Sequence, residues 1–258
     1  MRKTVKIRNL ILGDDSPKIC VPVVAETQEA LEAAAAALGN VPFDLVEFRA
    51  DYFPELLLED AKGSGTFSGL INALHLLRNA LGEKPLLFTV RTAGEGGKIS
   101  LSYTDYARVL LSAAQSGLAD LIDVELFTAG EQAGALTRAL HDAGAFVIGS
   151  SHDFKHTPPR VEMRSRLLRM QEEGMDICKL AVMPTCRQDV SELITLSCEM
   201  ADADEAIPFV TMSMGSLGVI TRVCGSLTGS AITFASAGRA SAPGQLDASL
   251  MRQILDAL

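Results

Sequence analysis

Short apolar segments recur eight times along this chain, and a stretch with helical spacing follows each of them. Apolar runs of this kind are typical of parallel β-strands whose two faces are both covered by other elements. Eight such units in 258 residues favour a closed α/β barrel, the (β/α)8 or TIM barrel, over an open doubly wound sheet. The first strand also lacks the glycine-rich phosphate fingerprint of dinucleotide-binding folds.

The pattern gives approximate bounds for each element. The predicted strands cover residues 18–25, 44–51, 86–92, 120–126, 146–152, 176–184, 208–214 and 231–236. The predicted helices lie near residues 27–38, 69–81, 104–116, 130–142, 159–173, 187–203, 216–224 and 246–257, with Thr27 as the N-cap of the first. Weak alternation over residues 4–12 predicts a small hairpin ahead of the barrel. No low-complexity linker divides the chain, which predicts a single domain over residues 1–258.

Charge and cysteine content narrow the class of protein. The net charge of -9 argues against a nucleic-acid-binding surface, which needs basic patches. No apolar run approaches transmembrane length, and residues 7–12 are too short and too polar for a signal-peptide core. The five cysteines show no C-x-x-C spacing, and their odd number suits a reduced, cytoplasmic protein.

Lys179 lies inside the apolar segment at residues 176–184. Side chains alternate across a strand, so Lys179 shares a face with Ile177 and Ala181. Burial disfavours the charged form of an amine, and a neutral amine is a nucleophile toward carbonyl groups. The alternative is a lysine near a strand end that extends its ammonium group to water.

Polar residues on several other predicted strands share one face and lie toward the carboxyl ends. On the second strand Glu47, Arg49 and Asp51 lie opposite Val46 and Phe48, which must face the helices. The further inward candidates are Thr89, Arg91, Asp123, Glu125, Ser150, His152, Lys179, Met212 and Met214. Enzymes with this fold carry their chemistry at the carboxyl rim of the barrel, so the pattern indicates an active site. The alternative is a barrel that is held together only by internal ion pairs.

Several kinds of site are disfavoured by the residues present. The four histidines show neither H-x-H nor H-E-x-x-H spacing, and the abundance of inward Lys and Arg argues against a divalent metal beside Glu125. No G-x-S-x-G motif indicates a serine hydrolase. The methionine and phenylalanine side chains of the last two strands are interpreted as core.

A nucleophilic lysine near a histidine indicates Schiff-base chemistry. The amine condenses with a ketone, and the iminium makes the adjacent carbon acidic enough for a base such as His152. Glu95 lies just after the Arg91 strand and is the candidate carboxylate that orients the imidazole. The inward arginines indicate an anionic substrate, because a guanidinium group binds a carboxylate through two hydrogen bonds.

The sequence resembles the type I 3-dehydroquinate dehydratases, the Schiff-base enzymes of the shikimate pathway. The resemblance rests on six stretches that follow the order of the family and span nearly the whole chain. They are residues 46–51 (VEFRAD), 90–97 (VRTAGEGG), 151–154 (SHDF), 177–184 (ICKLAVMP), 213–222 (Ser213-Met214-Gly215 through Thr221-Arg222) and 240–245 (ASAPGQ).

The resemblance implies a (β/α)8 barrel, a homodimer, and neither metal nor cofactor. It implies that Lys179 forms the Schiff base with the C3 ketone of 3-dehydroquinate, that His152 removes the C2 proton, and that Glu95 pairs with the histidine. Arg222 would bind the substrate carboxylate. The other implied substrate-binding residues are Glu47, Arg49 and Arg91 on the barrel wall, with Ser241 and Gln245 on a loop that suits a lid.

The hairpin would cover the bottom of the barrel. Two departures from the family pattern are Thr221, where serine is expected, and Lys98, where an acidic residue is expected. Two other functions stay open on the residues alone. One is an aldolase that uses the same lysine, and the other is an inactive barrel that binds an anionic metabolite.

Overall fold

Eight parallel strands surround a central axis in the computed structural model, which describes residues 3–14, 16–58, 67–204, 206–238 and 241–258. The eight barrel strands are β3 Lys18–Val23, β4 Leu45–Arg49, β5 Leu86–Thr89, β6 Leu121–Glu125, β7 Phe146–Asp153, β8 Ile177–Val182, β9 Phe209–Ser213 and β10 Ile232–Phe234. From β3 to β9 each strand pairs with the next in chain order, and β10 pairs with β3. A single bridge between Phe209 and Ser230 links β9 to the segment before β10 and nearly completes the barrel. The predicted (β/α)8 fold is confirmed.

Helices cover the outside of the barrel. They are α1 Gln28–Ala37, α2 Glu55–Leu58, α3 Ser68–Leu81, α4 Tyr103–Gln115, α5 Leu126–Ala129, α6 Ala133–Asp142, α7 Arg160–Glu172, α8 Arg187–Ala201, α9 Ile220–Val223, α10 Gly225–Thr228 and α11 Ala248–Leu255. The predicted N-cap of α1 is confirmed, since the Thr27 hydroxyl accepts a hydrogen bond from the Ala30 N–H at 3.2 Å. No helix within the described ranges has the length and apolar character that a membrane crossing requires.

Several predicted bounds were wrong, and local backbone geometry explains three of the differences. The strands predicted to reach residues 51 and 92 end at Arg49 and Thr89, because 3-10 turns form at Ala50–Tyr52 and Ala93–Glu95. The helix predicted near residues 216–224 is instead the two short helices α9 and α10. At Gly218 a Cβ atom would lie 2.2 Å from the Ser213 carbonyl oxygen, so the chain makes a tight turn there before α9 begins. Residues 63–66 of one predicted loop and Ala240 lie outside the described residues.

Two apolar clusters divide the core. The larger lies between the sheet and the helices and contains Val46, Phe48 and Ala50, as the alternation on the second strand predicts. The smaller fills the lower barrel with one inward residue from each of the eight strands. These are Cys20, Leu45, Leu87, Leu121, Ile148, Ile177, Val210 and Ile232.

The inward positions change character along each strand. Two residues beyond the apolar layer the same faces carry Glu47, Thr89, Asp123, Ser150 and Lys179. Residues two positions apart on a strand point to the same face. The inward side chain two residues after the apolar layer therefore lies higher in the barrel, in its polar part.

The N-terminal segment forms the predicted antiparallel hairpin of β1 Val5–Ile7 and β2 Leu10–Leu12. Ile7 and Leu12 are buried in the smaller apolar cluster, next to the floor residues of the barrel strands. The hairpin thus closes the end of the barrel opposite the polar rim.

Candidate active site

A cavity opens at the carboxyl ends of the barrel strands. Seven of the nine residues predicted for the site line it, namely Glu47, Arg49, Arg91, His152, Lys179, Ser241 and Gln245. Glu95 lies behind His152, and Arg222 lines a smaller neighbouring cavity that shares Met212 and Phe234 with the first. The barrel therefore brings together residues from strands that are far apart in sequence.

Lys179 is buried in the barrel wall, with 4 % of its surface exposed. Its Nζ atom lies 3.5 Å from Glu47 Oε1, 3.5 Å from Asp123 Oδ2 and 4.3 Å from the centre of the Phe234 ring. The alternative of an ammonium group that extends to water is thereby excluded. Its surroundings are not purely apolar, as its sequence neighbours alone suggest, because two carboxylates face the amine from other strands.

His152 is held from one side by Glu95. The Nδ1 atom lies 2.8 Å from Glu95 Oε2, and the His152 backbone N–H donates to the same oxygen at 3.0 Å. The ring of Phe154 stacks on the imidazole at 6.4 Å between centres and 19° between planes. These contacts fix the ring and leave Nε2 as the nitrogen that is free of Glu95.

Burial governs the protonation of this pair. Burial, followed by the negative charge of Glu125, raises the pKa of Glu95 to about 8, although Arg91 acts in the opposite direction. Burial, followed by the charges of Arg91 and Lys179, lowers the pKa of His152 well below its ordinary value. Both changes favour the uncharged forms, so the pair shares one proton near neutral pH.

Arg91 joins the carboxylates beneath the cavity into one network. Its guanidinium donates to Asp123 Oδ2 at 2.8 Å, to Glu125 Oε1 at 2.9 Å and to the Ser150 hydroxyl at 2.9 Å. Glu125 also accepts from the Thr92 N–H at 2.9 Å. Arg91 lines the cavity, but most of its hydrogen-bonding capacity is used within the protein.

Arg49 and Glu47 have fixed positions on the adjoining wall. Arg49 binds Asp51 through two hydrogen bonds of 2.8 and 2.9 Å. Glu47 Oε1 accepts a hydrogen bond from the Thr89 hydroxyl at 3.0 Å. Both side chains therefore present defined polar atoms to the cavity.

Arg222 is a buried cation without a carboxylate within ion-pair distance among the described residues. Its Nη2 atom donates to the Pro243 carbonyl at 2.9 Å, Nη1 lies 3.7 Å from Met212 Sδ, and Nε has no partner in the described part of the chain. Burial lowers its pKa to about 10. A buried guanidinium in this state is suited to bind an anionic ligand.

The loop after β10 lies over the same region. Ser241 and Gln245 bind each other, since the Ser241 N–H donates to Gln245 Oε1 at 2.9 Å and Gln245 Nε2 donates to the Ser241 hydroxyl at 3.0 Å. The Gly215 N–H donates to the Pro243 carbonyl at 3.2 Å, which ties this loop to the end of β9.

The sequence interpretation missed several cavity-lining residues. Phe154 follows His152 by two positions, so strand alternation could have placed it on the same face. Met212, Met214 and Phe234 were interpreted only as core, but they also line the cavity. They belong to the smaller apolar cluster as well, because a barrel interior serves both purposes.

Thr221 and Lys98, the two residues that depart from the family pattern, make few contacts with side chains of the site. The Thr221 hydroxyl donates to the Gly218 carbonyl at 2.7 Å and accepts from the Ser213 N–H at 2.9 Å, contacts that a serine hydroxyl can also make. The exposed Lys98 side chain lies 5.5 Å from the Tyr52 ring. In the part of the chain that the structure describes, no group of three or more His, Cys, Asp or Glu side chains has an arrangement suited to a metal ion.

Comparison with known proteins finds the same family through a family model and through individual relatives. Residues 19–258 match the family model for type I 3-dehydroquinase. The 3-dehydroquinate dehydratase of Syntrophotalea carbinolica is 43 % identical over 256 residues, which are 99 % of this chain and 98 % of that protein.

Two solved structures agree in fold as well as in sequence. The type I 3-dehydroquinate dehydratase of Clostridium difficile has a TM-score of 0.91 and 37 % identity, covering 100 % of this chain and 98 % of that one. The enzyme of Geobacillus kaustophilus has a TM-score of 0.91 and 36 % identity, covering 99 % and 96 %. With its barrel, buried lysine and matched length, this chain belongs to the type I 3-dehydroquinase family.

Proposed function

We propose that this chain is a lyase that removes water from 3-dehydroquinate to give 3-dehydroshikimate, as a step of the shikimate pathway. One observation carries the proposal: the buried amine of Lys179 shares a cavity with an imidazole that Glu95 holds. The 3-dehydroquinate dehydratase of Clostridium difficile, a relative in the same family, was crystallised with covalently modified comenic acid.

The first half of the reaction builds an electron sink on Lys179. The free amine attacks the C3 ketone of the substrate, and the resulting carbinolamine loses water to form an iminium ion. The cationic C=N bond acidifies the C2 proton, because the electrons released from the C–H bond can move toward nitrogen as an enamine forms.

The second half uses His152 twice. Nε2 removes the C2 proton, and the imidazolium then gives its proton to the departing C1 hydroxyl, so that the enamine electrons expel water and form the C1–C2 double bond. Water adds to the product iminium, and loss of the amine releases the enone. Glu95 stabilises the imidazolium and fixes the ring.

The orientation of the substrate is inferred from Arg222, the buried cation that has no carboxylate partner among the described residues. Arg222 binds the substrate carboxylate through its guanidinium, while Glu47, Arg49 and Arg91 contact the ring and its hydroxyl groups. Ser241 and Gln245 close the cavity from the loop after β10. These roles are supported by the position of each side chain at or beside the cavity.

An absorbance assay tests the activity directly. Purified protein with 3-dehydroquinate should produce the ultraviolet absorbance of a conjugated enone, at the same rate after a chelator is added. Carbon–carbon cleavage products would instead indicate an aldolase, and binding without turnover would indicate an inactive barrel.

Lys179→Ala is expected to abolish turnover while some substrate binding remains, because the covalent step is lost but Arg222 is kept. Borohydride treatment in the presence of substrate should label Lys179 in the wild-type protein.

His152→Ala should accumulate the trapped adduct, since both proton transfer and imine hydrolysis slow. Normal steady-state rates in either variant would contradict the assignment.

We further propose that the chain acts as a single domain in a cytoplasmic homodimer. All five cysteines are free thiols, and apolar side chains at Leu217, Ile220 and Leu227 are exposed around the short helices α9 and α10. Light scattering should give the mass of two chains, calorimetry one cooperative unfolding transition, and cell fractionation a cytoplasmic location. A monomeric mass would contradict the dimer.

A further inference from the structure

Asp123 is a carboxylate that the proposed mechanism does not yet use. It has no exposed surface, and its Oδ2 atom lies 3.5 Å from the Lys179 amine. It does not line the cavity in which the substrate would bind. Its influence on the reaction must therefore pass through the groups that it contacts, among them the Lys179 amine and Arg91, and not through contact with substrate.

The surroundings of Asp123 hold its charge in place. Oδ2 accepts from Arg91 Nη2 at 2.8 Å, and Oδ1 accepts from the Ser150 hydroxyl at 2.6 Å. Burial by itself would raise the pKa of Asp123, but the charges of Arg91 and Lys179 outweigh it and leave the pKa below its ordinary value. Asp123 is thus an ionised group that cannot move away from the amine without losing two partners.

Glu47 is the second carboxylate at 3.5 Å from the amine, but its setting differs. It lines the cavity, and among the described residues the hydrogen-bond and ion-pair partners of its carboxylate are the Thr89 hydroxyl and the lysine. It is placed to contact the substrate as well as the amine. Asp123 faces the amine from β6 and stays out of reach of substrate, so the two carboxylates are not equivalent.

We propose that Asp123 is the counter-ion of the Schiff-base nitrogen, a positioning residue that aims the Lys179 amine and stabilises the positive charge on the iminium. This inference rests on the proposed function. The nitrogen is a permanent cation in both the substrate and the product iminium, so a fixed negative charge nearby lowers the energy of both. Asp123 takes up no proton in this role, because the adjacent positive charges favour its ionised form.

Asp123→Asn tests the role because it keeps the shape of the side chain and removes the charge. We expect kcat to fall by about 100-fold, the range seen when one preorganised electrostatic group is lost, with KM within about threefold of the wild type. The fraction of Lys179 trapped by borohydride at saturating substrate should fall in parallel.

Glu125→Gln is the matched control, and both variants are compared on the high-pH plateau of turnover, because Glu125 and Asp123 each also raise the pKa of Glu95. Glu125 is equally buried and binds the same arginine, but among the described ion pairs it makes none with Lys179. If the network acts only as a scaffold, both variants should lose kcat and trapping to the same extent. Equal losses, or an Asp123→Asn variant with kcat within threefold of the wild type, would overturn the proposal.

A second pair of variants covers the case in which Asp123→Asn does not fold. Asp123→Asn combined with Arg91→Gln leaves no unpaired guanidinium, and it is compared with Arg91→Gln alone. The double variant should trap at least about 10-fold less adduct at Lys179, and equal trapping would reject the counter-ion. Failure of the proposed function is distinguishable, because the wild-type protein would then form no adduct at Lys179.

Discussion

At the level of single residues, the surroundings of Lys179 are more polar than its neighbours along the strand predict. Its neighbours along the strand are apolar, but Glu47 and Asp123 reach it from β4 and β6. The amine thus lies within ion-pair distance of two carboxylates, and the same carboxylates can stabilise the positive charge of the iminium that replaces it.

The pair of His152 and Glu95 has two protonation states that differ by one proton, and they place the hydrogen of the neutral ring on different nitrogens. A protonated Glu95 donates to Nδ1, which leaves the hydrogen of the neutral ring on Nε2 and prevents that atom from acting as a base. An ionised Glu95 accepts from Nδ1–H and leaves Nε2 unprotonated. Only the second arrangement can remove the C2 proton.

Turnover should accordingly rise with pH, reach half of its maximum near pH 8 and level off above that value. Burial raises the pKa of Glu95 to about 8, and the fraction in the productive form increases as the carboxyl group loses its proton through that value. His152 stays neutral in this range because its pKa is lowered. The pH dependence of kcat/KM for the free enzyme measures the effect.

Glu95→Gln separates this titration from others. The glutamine carbonyl can accept from Nδ1–H at every pH, so the rise toward pH 8 should disappear while kcat falls by about 10-fold or more. An unchanged rise in this variant would assign the titration to another group.

At the level of secondary-structure elements, the turn after β5 positions Glu95 beside His152. The Glu95 N–H donates to the Thr92 carbonyl at 3.0 Å, and the Gly97 N–H donates to the same oxygen at 2.8 Å. A Cβ atom on Gly97 would lie 1.8 Å from the Arg91 carbonyl oxygen. The turn therefore requires glycine there for space.

Gly97→Ala should lower kcat by about 100-fold, because the backbone must move and a shift of about 1 Å in a catalytic group costs that much. Gly94→Ala, in the same turn, is the matched control, since its Cβ would make only an ordinary contact at 3.6 Å with Thr92 Oγ1. Steady-state kinetics and melting temperatures compare the two. Comparable activity in both variants would mean that the turn adapts without displacing Glu95.

At the scale of the whole molecule, the barrel separates stability from chemistry along its axis. The hairpin packs Ile7 and Leu12 against the apolar floor, and the charged groups lie on the opposite side of that floor. At Gly13, where φ is +86°, a Cβ would lie 2.7 Å from Pro208 Cγ, so the hairpin meets the start of β9 closely. The floor keeps water from reaching the polar layer from below.

Leu12→Ala should destabilise the protein by about 2–5 kcal/mol, because it leaves a cavity beneath the barrel, while KM of the folded enzyme stays unchanged. Ile11→Ala removes a neighbouring side chain that is 43 % exposed, and it should cost less than about 1 kcal/mol. Denaturant unfolding of both variants measures the difference. A large change in KM for Leu12→Ala would show that the floor also shapes the site.

Particular residues show which features of the fold and the site the sequence alone could predict. Alternation on the second strand predicts the inward position of Glu47, alternation on the sixth places Lys179 on one face with Ile177 and Ala181, and residue type predicts Thr27 as a cap. The ends of β4 and β5 could not be predicted, because the 3-10 turns that end them depend on contacts such as the one between Gly97 and Arg91. The pairing of Glu95 with His152 was implied by family resemblance, since the two are far apart in sequence.

The order of eight strand–helix units and the inward face of most strands followed from local periodicity, which each segment carries in itself. The tertiary structure alone decided which charges meet: Asp123 faces Lys179, Arg91 holds Asp123, and Arg222 has no carboxylate partner among the described residues. Closure of the barrel brings side chains from distant strands within a few ångströms of each other. Local periodicity fixes the direction of a side chain but not its distance from a side chain across the barrel.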